Sequence, residues 1–347
     1  MAKIFIIGAG AMGSAFSIPC NDRNNEVVIF GTHLEDQYID EINKNDNFHQ
    51  ILNLNFPNKI KFKKNSSLDK IEENPDLLVL GISSKGIDWI SDRISNVFDK
   101  NKLPKILMLT KGLNIYENKY ELLIDKLIRN LSKKNFTNIN ISAVGGPCLA
   151  SGLANKINSS VVIANKDIET ANWIKDILNT EYYHISTSKD VIGVEACAAI
   201  KNIFAMVIGA SKGVSNENLN DNIKRKIFYN TSASLITQCL YEMNSFVTFL
   251  NGKSETVYGL AGLGDLYVSA VGGRNSQMGS FIGSGMLYSD AIKTKMKDIT
   301  VEGAELAFEI HKKINQDFKF EKMPLLISMM NSIVKNQKLK INWNLFN

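Results

Sequence analysis

The stretch "KIFIIGAGAMGSAFSI", residues 3–18, decides the fold. After Lys3 the run Ile4–Ile7 is short, wholly apolar and rich in β-branched residues, the pattern of a strand buried on both faces of a parallel sheet. Gly8, Gly10 and Gly13 follow at G-x-G-x-x-G spacing, and a helical stretch of small residues begins at once. Glycines so spaced permit a tight turn, let the backbone approach a pyrophosphate closely, and let helix pack against strand. The pyrophosphate rests on the helix N-terminus, here the end carrying Ala11 and Met12. A glycine-rich turn alone is a common structural device. This one follows a strand, opens a helix and precedes a second strand, "EVVIFG" at 26–31, at the distance expected of a dinucleotide-binding unit.

The same form recurs outward from that turn. "DLLVLGIS" (76–83), "KILMLTKG" (105–112) and "NISAVGGP" (140–147) read as buried strands, and "SSVVIAN" (159–165) adds another. Between them, "IDWISDRISNVF" and "KYELLIDKLIRNLSKK" carry helical periodicity. Strands separated by helices imply βαβ units and a Rossmann-like, doubly wound parallel sheet. From about Asp190 the chain turns to long apolar helices without strand alternation, which predicts residues 1–188 as a dinucleotide-binding domain and 189–347 as an all-α substrate domain. No internal repeat or low-complexity segment interrupts either.

Composition narrows the class. The 347 residues are 44% hydrophobic and 22% charged, ordinary for a soluble globular protein of two domains. A net charge of +5 suits anionic small molecules and is too weak and scattered for nucleic acid. Cys20, Cys148, Cys197 and Cys239 show no metal-binding spacing and read as reduced thiols, and no cluster suggests a metal. The apolar stretch before Gly8 is too short for a signal-peptide core. The longest apolar run is broken by Glu195 and Lys201, so no membrane span is expected and the cytoplasm is the expected compartment.

The end of the second strand should report on the cofactor's ribose, where an acid binds the 2′-hydroxyl of NAD. The chain reads Gly31-Thr32-His33, with no acid before Glu35 and no arginine. Thr32 and His33 suit a hydroxyl or a 2′-phosphate, and NAD and NADP both stay open.

Polar residues also stand where the local pattern is apolar. In "EACAAIKNIFAM", residues 195–206, Lys201 and Asn202 interrupt a run that otherwise reads as a buried helix. A buried ammonium without a partner costs several kcal/mol, so Lys201 needs water or a carboxylate; the alternative is a side chain snorkelling to the surface. Lys111 in "LTKGL" lies just past the carboxyl end of a strand, where open α/β sheets bind ligands. "GLAGLGDLYVS" (259–269) sets Asp265 in a glycine-rich apolar run. "VGGRNSQMG" (271–279) puts Arg274 and Asn275 at a helix start, joining a guanidinium to free backbone N–H groups, a combination suited to phosphate. Taken singly, each has a plain structural reading, from a capping glycine to a surface arginine.

Together these segments resemble the NAD(P)-dependent glycerol-3-phosphate dehydrogenases. "IIGAGAMGSA", "LTKGL", "VGGPCLA", "GVEACAAIKN", "GLAGLGDL", "GGRN" and "VEG" occur in that family's order and approximate spacing, covering most of the chain. "FGT" and "GGRN" look most like the archaeal-type branch. The resemblance implies an NAD(P)H-dependent interconversion of dihydroxyacetone phosphate and sn-glycerol 3-phosphate, feeding glycerophospholipid synthesis, in a homodimer. It implies that Lys201 is the catalytic acid and base, that Asp265 positions it, and that Lys111 is a second lysine near substrate. Asn202, Ser269, Gly273, Arg274 and Asn275 match positions that hold the glycerol phosphate, with Arg274 as the phosphate clamp and Gly146 and Cys148 beside the substrate. Gly8, Gly10, Ala11, Met12, Gly13, Thr32, Lys111, Ala150, Arg274, Thr300 and Glu302 match cofactor positions.

The chain also departs from the pattern. Bacterial members usually read G-P-S-F-A-x-E where this chain has "GPCLASG", so Cys148 stands for a serine and Gly152 for a glutamate. The segment "IKRKIFYNTSAS" after Asn222 looks longer than usual. Two other readings stand beside the first: the same chemistry on another phosphorylated hydroxyketone or a ketopantoate-type 2-keto acid, and a cofactor-binding regulator without turnover. Arg274-Asn275 after two glycines favours a phosphate over a bare carboxylate. Lys201, Lys111 and Asp265 together argue for turnover, since a sensor needs only the glycine turn.

Overall fold

The computed structural model describes residues 1–213 and 221–346, with backbone alone for 221–227. The chain forms two compact units, Met1–Lys111 with Leu122–Val191, and Gly112–Glu121 with Ile192–Asn347.

The first unit is built on an eight-stranded sheet. Its strands are β1 (Lys3–Ile7), β2 (Glu26–Phe30), β3 (Lys61–Lys63), β4 (Leu77–Leu80), β5 (Lys105–Met108), β6 (Ile141–Gly145), β7 (Ser159–Ala164) and β8 (Tyr183–Ser188). They lie in the order β8-β7-β6-β5-β4-β1-β2-β3. Every neighbouring pair is parallel except β6 with β7. Helices α1 (Ala11–Asp22), α2 (Asp36–Lys44), α3 (Ile87–Val97), α4 (Leu123–Ser132) and α5 (Ile168–Leu178) alternate with the strands, as the spacing predicts. Ile4, Ile6 and Ile7 of β1 and all of β4 are fully buried, which is why these runs show no polar alternation. After β1 the chain moves outward through β2 and β3, then crosses to β4 on the other side of β1. The sheet therefore switches direction between β1 and β4, at the place where doubly wound sheets bind ligands.

One expected helix starts late. "KYELLIDKLIRNLSKK" is helical only from Leu123, because Lys119–Leu122 pairs with Leu113–Tyr116 in a hairpin. Glu117 and Asn118 link the strands, both with left-handed backbone (φ 49° and 57°), the two-residue turn that suits the strands' twist. This hairpin belongs to the second unit, which is therefore not purely helical. There Tyr120 sets its ring edge-on against Phe246, 5.3 Å between centroids.

The second unit is organised around α6 (Val191–Ala210). By length and composition α6 would cross a membrane, yet most of it is buried inside the protein, as befits a core helix. Around it are α7 (Asp221–Phe249), α8 (Asp265–Gly272), α9 (Arg274–Gly283), α10 (Glu302–Asp317) and α11 (Pro324–Val334). The long segment after Asn222 forms the start of α7; side chains up to Ile227 lie outside the described residues. Small residues bring α9 onto α6 backbone to backbone. A Cβ on Gly279 would run into Met206 O, one on Gly283 into Ala210 O, and one on Gly209 into Ser276 O. Gly303, at the start of α10, abuts Asn202 O in the same way.

Candidate functional site

The dinucleotide turn lies where β1 gives way to α1. Gly8 takes a positive φ of 111°, which a side chain would strain. Its N–H donates to Phe30 O at 2.8 Å, tying the turn to the end of β2. A Cβ on Gly13 would strike Gly8 O, and one on Gly81 would stand 2.9 Å from Gly13 Cα. The turn, the start of α1 and the end of β4 thus meet with no room for side chains. Gly10 is the N-cap of α1, and its C=O accepts from Ser14 N–H at 3.0 Å. The N–H groups of Ala11 and Met12 come before that first helical bond, and α1 has no acid in its first turn. A cradle of this kind, with the positive end of a helix and no acid in that helix's first turn, fits the pyrophosphate of a dinucleotide.

Two residues that sequence reasoning passed over grip this turn. Glu35 lies beyond β2 but folds back, its Oε2 accepting from Ala9 N–H at 3.1 Å and from Thr32 N–H at 2.7 Å. His49, fully buried, holds the other side of the same residue, with Nε2 3.1 Å from Ala9 O. Leu52 N–H donates to His49 Nδ1 at 3.3 Å, so Nδ1 is the acceptor and Nε2 carries the proton toward Ala9. Burial lowers the His49 pKa, favouring that neutral form. An acid five positions after a strand gives no sequence signal of turning back, and a lone histidine in "NFHQIL" gives none of facing the turn.

In the second unit, four helices assemble the polar residues. Lys201 and Asn202 lie on α6. Asp265 opens α8, immediately after a π-helical turn, Leu260–Gly264, into which "GLAGLG" folds. There a Cβ on Gly262 would strike Val257 O, so the wide turn depends on glycine. Lys201 is 6% exposed and Asp265 1%; the ammonium donates to Asp265 Oδ1 and, at 3.0 Å, to Ser269 Oγ one turn further along α8. Lys201 is therefore a buried ion pair rather than a snorkelling side chain. Arg274 is the first residue of α9 and pairs with Glu302, the first of α10. Asn275 Nδ2 donates to Asn202 Oδ1 at 3.2 Å, and Asn275 Oδ1 accepts from Gly303 N–H at 2.9 Å. Two helix N-termini and a guanidinium so stand beside a buried lysine–aspartate pair. Arg274 remains 57% exposed by side chain, open to an anion from solvent.

Four of the remaining candidates lie in the first unit. Lys111 closes the first unit's leading segment, past the carboxyl end of β5. Gly146, Cys148 and Ala150 follow β6, with Gly146 at φ 130° and Ala150 opening the short helix Ala150–Ala154. Gly273 is the N-cap of α9, and Thr300 is exposed just ahead of α10. Among the described residues no cluster of His, Cys, Asp or Glu could hold a metal ion.

Comparison with known proteins gives the family. The profile for the NAD-dependent glycerol-3-phosphate dehydrogenase N-terminus matches residues 3–171, and that for the C-terminus residues 190–342. An NADP(+)-dependent glycerol-3-phosphate dehydrogenase of Archaeoglobus fulgidus is 30% identical over 91% of this chain and 92% of its own. The chain belongs to the glycerol-3-phosphate dehydrogenase family. A glycerol-3-phosphate dehydrogenase [NAD(P)+] of Clostridium botulinum is likewise 30% identical, over 90% of this chain and 89% of its own. Among solved structures, glycerol-3-phosphate dehydrogenases of Saccharomyces cerevisiae (TM-score 0.80, 20% identity, 99% of this chain and 98% of that one) and Coxiella burnetii (0.78, 23%, 97% and 96%) share the fold. As a member of the family the chain is an oxidoreductase that uses NAD(P)H.

Proposed function

We propose that this glycerol-3-phosphate dehydrogenase interconverts dihydroxyacetone phosphate and sn-glycerol 3-phosphate, and that Lys201, Asp265, Arg274 and their neighbours carry the reaction. The observation that carries this reading is the Lys201–Asp265 pair: a cation and a carboxylate taken out of water together, with Ser269 as a third partner. When bound, NAD(P)H supplies the hydride. Lys201 gives a proton from Nζ to the carbonyl oxygen as that oxygen becomes an alkoxide, and takes it back in the reverse direction. Asp265 and Ser269 keep the ammonium oriented, and Asp265 balances its charge in the interior. Arg274 and the N–H groups at the start of α9 hold the phosphate, with Glu302 bracing the guanidinium and Asn275 fixing Asn202. The product suits the glycerol backbone of phospholipids. The family likeness supports a homodimer in the cytoplasm, which light scattering and fractionation test.

The test is turnover followed at 340 nm with dihydroxyacetone phosphate. Wild type should consume reduced cofactor, and Lys201→Met should bind it as well while losing about 10²–10⁴ in kcat, the usual effect of removing a general acid. Equal kcat in Lys201→Met would remove the lysine from the mechanism. Failure of the wild type with this substrate, but turnover of a 2-keto acid, would move the substrate class.

A further inference from the structure

Glu35 sits where the adenosine ribose of a dinucleotide belongs. Its Oε2 is held by Ala9 N–H of the glycine turn and Thr32 N–H just past β2, so the carboxylate lies between the carboxyl ends of adjacent strands β1 and β2. Both bonds fall on one oxygen. The other, Oε1, has no hydrogen-bond partner among the described residues and lies 3.9 Å from where a Cβ on Gly10 would stand, on the side of the cradle. An acid at this place accepts from the ribose 2′-hydroxyl of NAD, and it repels the 2′-phosphate that distinguishes NADP. Near the end of β3, Lys64 pairs with Asp40 at 2.7 Å and Arg93 with Asp69 and Asn65, while Lys63, the last residue of the strand, is exposed.

We infer that Glu35 makes this dehydrogenase prefer NADH over NADPH, through acceptance of the 2′-hydroxyl at Oε1 and exclusion of a 2′-phosphate by its charge. The preference is opposite to the NADP(+) dependence named for the Archaeoglobus relative. It rests on cofactor use alone and not on the substrate assignment.

The inference is tested by equilibrium binding of NADH and NADPH to the full-length protein, read by nicotinamide fluorescence with no substrate present. A wild-type failure to turn over dihydroxyacetone phosphate leaves this measurement untouched. The expected wild-type Kd for NADPH exceeds that for NADH by about tenfold or more, from the repulsion between the carboxylate and the 2′-phosphate. Glu35→Gln keeps an acceptor and removes the charge, so NADPH should tighten several-fold while NADH changes little. Glu35→Ser should weaken NADH as well, bringing the ratio near one. A wild type that binds NADPH as tightly as NADH overturns the inference, and this needs no variant to fold. A wild-type preference for NADH that survives unchanged in folded Glu35→Gln overturns the role of Glu35.

Discussion

At the scale of single residues, the division between charge and shape decides what each side chain does. Lys201 and Asp265 are nearly without solvent, so removing either leaves the other as an uncompensated buried charge. Asp265→Asn and Lys201→Met should therefore each slow turnover and lower the melting temperature together. Arg274 differs, being more than half exposed and attached by one carboxylate, Glu302. Its use lies in the planar fork that an ammonium lacks, so Arg274→Lys should not restore what Arg274→Ala loses. Loss of the clamp should cost about 1.5–3 kcal/mol, roughly tenfold to a hundredfold in kcat/KM for dihydroxyacetone phosphate. Unphosphorylated dihydroxyacetone should be spared, since it offers no phosphate to clamp. An equal fall with both substrates would assign Arg274 to the cofactor or the fold.

At the scale of elements, the position of Arg274 depends on how closely α9 can approach α6. That approach needs Gly209, Gly279 and Gly283, each standing against a carbonyl of the facing helix. Backbones cannot yield as side-chain ends do, so Gly279→Ala forces the helices apart. It should cost about 1–3 kcal/mol, the range for overpacking, and should lower kcat/KM as the start of α9 shifts. Gln277, on the exposed side of the same helix, is the control: Gln277→Ala should stay within about 0.5 kcal/mol. Thermal melts of the two variants against wild type decide the matter, and equal melting temperatures for Gly279→Ala and Gln277→Ala would show that the contact relaxes freely. The π turn before α8 has the same logic, since its width is what sets Asp265 at the first position of the helix.

At the scale of the whole molecule, the stability of the helical unit carries a pH dependence of its own. Glu242 of α7, fully buried, caps α11 by accepting from Leu325 N–H at 2.9 Å and Leu326 N–H at 2.8 Å. Burial pushes its carboxyl up to about 7 from 4.5, against the pull of those bonds and of Gln238. The folded state then holds a proton that the unfolded chain has already released. Stability from this group is full below pH 4.5 and declines as pH rises toward 7, by on the order of 1–3 kcal/mol. Glu242→Gln should remove that decline from melting curves taken between pH 4.5 and 7.5, and a wild-type slope that persists in the variant would place the titration elsewhere. What the sequence by itself determined was local: strands of four to six residues buried on both faces, the glycine spacing after Ile7, and the turn to long apolar helices at about residue 190. Each is visible because its residues touch neighbours a few positions away. The likeness of ordered motifs supplied Asp265 as the partner of Lys201; no local pattern joins residues 64 positions apart. Tertiary structure alone decided that Glu35 folds back onto Ala9, that His49 faces the same turn, and that Lys119–Leu122 leaves its helix to pair with Leu113–Tyr116. Those outcomes follow from what each segment meets across the fold, where a backbone N–H, a carbonyl or an aromatic ring offers a better partner than its own chain neighbours do.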